Sequence, residues 1–273
     1  MYDVTATLID SAGNSSTDPS SSELLIDTTL PLTPTATPLY TSNTSPVISG
    51  TANPGPGETL TVTVDGTTYT VGDGNLVENG NGTWDLTFPA TLAEATYEVT
   101  VSITDAAGNV STDTSTDELV IDITAPPVPT IIAQITNITT PVISGTSSTA
   151  PGETLTVTVN GVSYTEGNAN LLVNPDGTWE LTIPTGNALA DGTYEVIATV
   201  TDLAGNSATD TTATELIVDT IPPPVPTVVS QNTSNTTPVI SGTATIAPGE
   251  TLTVTVDGVV YTCLLYTSPS PRD

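Results

Sequence analysis

The chain has 273 residues, of which 30 are Asp or Glu, one is Lys or Arg and none is His, so its formal net charge is −29. There is no histidine to act as general base near neutral pH and no lysine to form a Schiff base. One cysteine cannot furnish the four ligands of a structural zinc site, and nucleic acid and anionic membranes repel such a polyanion.

High net charge with low hydrophobicity would suggest disorder. Here 36% of residues are hydrophobic, only 11% are charged and the mean hydropathy is +0.09. The polar surface therefore comes from Thr, Ser, Asn and Gly, and β-branched threonine favours strands. No apolar run approaches the roughly 18 residues of a membrane span. Met1 is followed at once by the alternating stretch Tyr2-Asp-Val-Thr-Ala-Thr-Leu8 with no basic segment, which is not the pattern of a signal peptide.

Along the chain the first recognisable elements are Asp10-Ser-Ala-Gly-Asn14 and Glu23-Leu-Leu-Ile-Asp27. Pro46-Val-Ile-Ser-Gly50 follows, then Gly57-Glu-Thr-Leu-Thr-Val-Thr-Val64. Both recur after 95 and then 97 residues, from Pro141 and Pro238 and from Gly152 and Gly249. Asp-x-Ala-Gly-Asn keeps the same two intervals at Asp10, Asp105 and Asp202. Glu118-Leu-Val-Ile-Asp122 and Glu215-Leu-Ile-Val-Asp219 close the later copies. Four registers agree, so the chain is an array of repeats.

Within each copy the period is two. Leu60, Val62 and Val64 face one side with threonines opposite, and Asp65-Gly66 then predicts a two-residue type I′ hairpin. Asn160-Gly161 and Asp257-Gly258 repeat it. Trp84, Leu86 and Phe88 alternate inward on one strand, and Tyr97, Val99, Val101 and Ile103 on another. About seven short strands in roughly 100 residues predict an all-β fold of tandem immunoglobulin-like sandwiches in a linear array. Thr-x-Pro-Pro after the closing strand places complete repeats at 30–124 and 125–221, a C-terminal fragment at 1–29 and an N-terminal fragment at 222–262. Two strands alone bury no core, so both fragments are expected to be loosely held.

The pattern resembles the tandem bacterial Ig-like repeats of large secreted surface adhesins. The resemblance spans residues 1–262 and rests on Pro46-Val-Ile-Ser-Gly50, Gly82-Thr-Trp84, Tyr97-Glu-Val99, Asp105-Ala-Ala-Gly-Asn109 and Ile121-Asp122 through Pro126. It implies a non-enzymatic stalk at the bacterial cell surface, often calcium-binding, with neighbouring repeats of the same chain as its partners. The antibody pattern is only partly kept: there is no cysteine pair, and the tryptophan sits on strand E rather than C. Residues 263–273, Cys263 through Asp273, break the register and resemble one translated frame of a common transposase-based sequencing adapter. Setting them aside removes Arg272 and Asp273, which leaves residues 1–262 with 29 acids and no basic side chain.

Those acids must be solvated, hydrogen-bonded or neutralised by a cation. In a sandwich of this topology Asp105 to Asn109 and Asp202 to Asn206 form the FG turns at the N-terminal pole. Asp122 ends the preceding unit and is expected to approach Asp202 and Asn206. Asp27 should likewise approach Asp105 and Asn109, and Asp219 should face the equivalent loop of a further unit. Carboxylate, amide and backbone oxygens without a counter-cation suit Ca²⁺, so Asp27, Asp105, Asn109, Asp122, Asp202, Asn206 and Asp219 are candidate ligands, with Glu153 and Asp191 as further ones. The competing reading is an Asx-turn in which Gly108 takes a positive φ. Tyr97 and Tyr194 are placed as tyrosine corners, and Trp84 and Trp179 in the core. The function expected is a non-catalytic spacer supporting adhesion or biofilm formation. The alternative is a glycan- or matrix-binding module. An enzyme built on paired carboxylates is disfavoured, because near-identical units leave no unique cleft.

Overall fold

The computed structural model describes residues 1–262; the foreign-looking tail 263–273 lies outside them. Regular structure among the described residues is all strand apart from one 3-10 turn at Thr185–Asn187, and no helix among them is long and apolar enough to cross a membrane. Each complete repeat is a sandwich. In the first, Thr35–Ala36, Val47–Thr51, Thr83–Thr87 and Leu76–Glu78 form one sheet in that order. Thr67–Thr70, Thr59–Val64, Val99–Thr104 and Val110–Thr112 form the facing sheet. The second repeat has the same pairings.

Period-two patterning decides what lies between the sheets. Leu60, Val62 and Val64 are fully buried, as are Trp84, Leu86, Val99, Val101 and Ile103. The hydrophobic cores run from Ala36 to Ile121 and from Ile143 to Val218. Both tryptophans are completely enclosed, so neither ring offers a platform for sugar stacking. The predicted hairpins are type I′: Asp65 and Gly66 have φ of 49° and 71°, Asn160 and Gly161 of 50° and 77°. Tyr97 and Tyr194 hydroxyls donate to the Ala93 and Ala190 carbonyls at 3.0 and 2.9 Å, as tyrosine corners do.

Gly50, the last residue of Pro-Val-Ile-Ser-Gly, has a reason the pattern alone does not show. A Cβ there would overlap the Thr35 carbonyl oxygen and come within 2.8 Å of the Trp84 ring. The bare backbone lets the indole lie flat enough for Nε1 to donate to Thr35 O at 3.1 Å. Gly145 leaves the same room beneath Trp179, where a Cβ would overlap the Thr130 carbonyl oxygen and the indole ring, although the Trp179 Nε1 makes no equivalent hydrogen bond.

One strand departs from expectation. The run Tyr97 to Ile103 is not continuous: Ala95–Tyr97 and Val99–Thr104 belong to different sheets. The closing strand is likewise divided into Val110–Thr112 and Leu119–Ile121. Leu119–Ile121 lies between Ala95–Tyr97 and, in parallel, Leu39–Thr41. The crossing is fastened reciprocally. Glu98 Oε2 accepts the Asp117 N–H at 3.2 Å, while Glu118 Oε2 accepts the Val99 N–H at 3.0 Å. Asp117 reaches this position with φ of 62°. Glu215 repeats the second bond to Val196, also at 3.0 Å, behind Thr214 at φ 64°. Both glutamates are buried although they carry the ionisable group. For Glu215, burial pushes the carboxyl up, but the Val196 N–H and the Thr212 hydroxyl outweigh it and hold the group below its usual range.

The two flanking fragments enclose nothing. In 1–29, Thr7–Ile9 pairs with Ser15–Thr17 and every residue is exposed. In 222–262, Thr253–Val256 pairs with Val259–Thr262 and no residue is buried.

Two substitutions test these assignments. Gly50→Ala should destabilise the first complete repeat by about 1–3 kcal/mol through overpacking. Glu118→Ala should cost a similar amount, about 1–3 kcal/mol, by stranding the buried Val99 N–H. Denaturant midpoints of the variants check both, and an unchanged midpoint would contradict the corresponding contact.

Candidate inter-repeat joint

The Asp-x-Ala-Gly-Asn turn is built by its own first residue. Asp105 Oδ1 accepts the N–H groups of Ala107 at 2.9 Å and Asn109 at 2.8 Å. Asp105 Oδ2 accepts from the Asn109 side-chain nitrogen at 2.8 Å. Backbone bonds from Asp105 N to Asn109 O and from Gly108 N to Asp105 O close the loop, with Gly108 at φ 90°. This is the Asx-type arrangement. Asp202 treats Asn206 alike, accepting its N–H and its Nδ2 at 2.8 Å each, and Asp10 does the same for Asn14. The Asn109 side-chain bond, with the backbone N–H bonds behind it, holds the half-buried Asp105 carboxyl below the ordinary Asp range.

The predicted meeting of these turns with the end of the preceding unit is found. Asn109 Nδ2 also donates to the Asp27 carbonyl at 3.1 Å, and Asn206 Nδ2 to the Asp122 carbonyl at 2.8 Å. At the second joint the Ser42 N–H adds a bond to the Ala204 carbonyl at 3.2 Å. The acceptor side is set by another capped aspartate: Asp27 Oδ1 takes the Thr29 N–H, Asp122 Oδ1 that of Thr124, and Asp219 Oδ1 that of Ile221. At the first joint Ser111 Oγ further ties the linker through the Pro31 carbonyl at 2.7 Å.

Oxygen ligands for a cation are distributed differently from the sequence expectation. The asparagines turn their amide nitrogens, not their oxygens, toward the neighbouring carboxylate and carbonyl. The carboxylates that gather at the second joint are those of Glu94, Asp122, Glu153 and Asp202, around an open groove of about 500 Å³. Among the described residues no three of them close to coordinating distance. In kind, the donor set still fits a hard divalent cation: it is all oxygen, with no cationic side chain in residues 1–262. Glu94 was not among the expected residues. It accepts the Thr124 hydroxyl with both oxygens, at 2.8 and 3.0 Å, and its counterpart Asp191 likewise holds Thr220. The signal available was this equivalence: Glu94 stands three residues before Tyr97 as Asp191 does before Tyr194. Glu153 caps its own turn through the Ala150 N–H at 2.8 Å.

Two tandem copies of one family model, described as a bacterial Ig-like domain, match residues 35–123 and 132–220. The chain belongs to the bacterial Ig-like domain family. Similar solved structures include one from a study of host cell surface retention of a 1.5-MDa bacterial ice-binding adhesin. It is 24% identical, covers 79% of this chain and 74% of its own, and has a TM-score of 0.33. Titin domains I67–I69 are 15% identical over 68% of this chain and 64% of theirs, TM-score 0.38. Murine CEACAM1b is 11% identical over 68% and 99%, TM-score 0.39. A search of curated proteins finds no significant match.

The pH dependence of the turn follows from Asp105. Its carboxyl is held below the ordinary Asp value, so the ionised form is favoured in the folded state. The stabilisation is therefore complete above that value and disappears as pH falls through the lower folded one. Chemical shifts of Ala107 and Asn109 amides should stay constant from neutral pH to about 4.5 and move below about 3.8. Movement near pH 6 would contradict the assignment.

Proposed function

We propose that this chain is a non-catalytic spacer from a large bacterial surface adhesin, extracellular, whose repeats hold a binding domain away from the cell. The observation that carries the reading is the serial contact between units: the same loop of one unit meets the same closing residue of the unit before it, at both joints. Family membership and the repetition of near-identical cores support a mechanical rather than a chemical role. The enclosed tryptophans count against the glycan-binding alternative.

The proposal includes calcium at the joints. Glu94, Asp122, Glu153 and Asp202 would hold the ion at the second joint, where it would neutralise clustered carboxylates and limit bending at the Pro126-Pro127 linker. Extracellular modules bind calcium at roughly 10⁻⁴–10⁻³ M. At ten to a hundred times that Kd, each site adds roughly 1.4–2.7 kcal/mol by mass action.

Small-angle scattering of the chain in 5–10 mM calcium and then in excess chelator tests this. A spacer stiffened by calcium has a larger maximum dimension and a higher melting temperature with the ion. Identical dimensions and melting temperatures in both conditions would remove calcium from the account. A glycan array showing saturable, specific binding would favour the alternative module.

A further inference from the structure

We infer that Asp-x-Ala-Gly-Asn and the closing Ile-Asp or Val-Asp pair are the two halves of a metal-independent latch between successive repeats, with the asparagine side chain as its bolt. The inference rests on the serial-array reading but not on its calcium. Each asparagine amide has two N–H bonds to give. One goes to the aspartate four residues earlier in its own turn, and the other crosses the joint to the backbone carbonyl of the preceding unit's last aspartate.

The two bonds support one another. Asp105 and Asp202 fix which end of the amide is the nitrogen, because a flipped amide would set its oxygen against a carboxylate oxygen 2.8 Å away. An ionised acceptor also makes the bond charge-assisted and polarises the amide toward its second acceptor. On the other side, the Asx cap of Asp27 or Asp122 sets the direction of the accepting carbonyl. Donors are scarce here: residues 1–262 contain no Lys, Arg or His, so a side-chain N–H that can bridge two units must come from an amide or an indole. Both indoles are enclosed in their own cores.

The two motifs therefore recur in one register because each unit must carry the bolt at its N-terminal pole and the keeper at its C-terminal end. Asp219, capped by the Ile221 N–H, is set as a keeper in the same way as Asp27 and Asp122. The Asp122 carbonyl has two lone pairs and gives one to the Asn206 bond, so the latch needs no cation at that oxygen and does not depend on one.

Residual dipolar couplings of the full chain in EDTA separate these possibilities. In the wild type the units 30–124 and 125–221 should report one common alignment tensor without calcium. Asn206→Ala should give two different tensors, with amide spectra showing both units still folded. Asn109→Ala removes the equivalent bolt from the other joint, so it should leave those two units commonly aligned. This variant controls for loss of the intra-turn bond. A common tensor in Asn206→Ala would overturn the latch. Two tensors in the metal-free wild type would also overturn it. If calcium then restored a single tensor, the ion alone would close the joint. If calcium changed the tensors in neither protein, the calcium reading would fail while the latch stood.

Discussion

Everything in this structure is shaped by a shortage of positive charge. Residues 1–262 hold 29 carboxylates and not one Lys, Arg or His side chain, so acids find their partners among N–H and O–H donors. Asp10, Asp105 and Asp202 close their own turns, Asp27, Asp122 and Asp219 cap the residues that follow the closing strand, and Glu118 and Glu215 fasten the crossing between sheets. Where other proteins decorate strands with ion pairs, this one pairs hydroxyls: Thr35 with Thr51, Thr63 with Thr68, Thr130 with Thr146. Such hydroxyl pairs contribute roughly 0.2–1 kcal/mol each and do not weaken with salt as ion pairs do.

The same economy links local structure to the joint. An aspartate that has already organised its turn holds the adjacent asparagine in one orientation, and that orientation leaves one N–H directed at the neighbouring unit. Rigidity inside the loop thus becomes order between units. Self-repulsion among the acids acts in the opposite sense, lengthening the array and screened by salt. A latch that uses neutral amide and carbonyl groups across the joint avoids adding to that repulsion.

Much of the fold was legible because repetition and period-two patterning are local and redundant. Leu60, Val62 and Val64 declare their face three times over in successive copies, and Asp65-Gly66 declares its turn. The break at Glu98 was not legible. It depends on Asp117 taking a left-handed φ without being glycine, and on a glutamate that enters the core instead of leaving it; both are decided by partners 19 residues away. At the joint the sequence placed Asp122 beside Asn206 correctly by topology. It could not say that the backbone carbonyl rather than the carboxylate makes the contact, nor which atom of the amide faces it. Glu94 is harder to read than its counterpart Asp191, because the position before the corner tyrosine keeps its charge between repeats but not its residue type.

The most direct test is to observe the bond across the joint itself. Scalar coupling transmitted through a hydrogen bond can be sought between the Asn206 side-chain nitrogen and the Asp122 carbonyl carbon in isotope-labelled chain without calcium. A resolved cross-peak linking those two atoms, with the Asn206 amide protons slower to exchange than those of solvent-exposed asparagines, is the predicted result. No cross-peak, together with exchange at the rate of a free side chain, would show that the units meet without the latch and contradict the account.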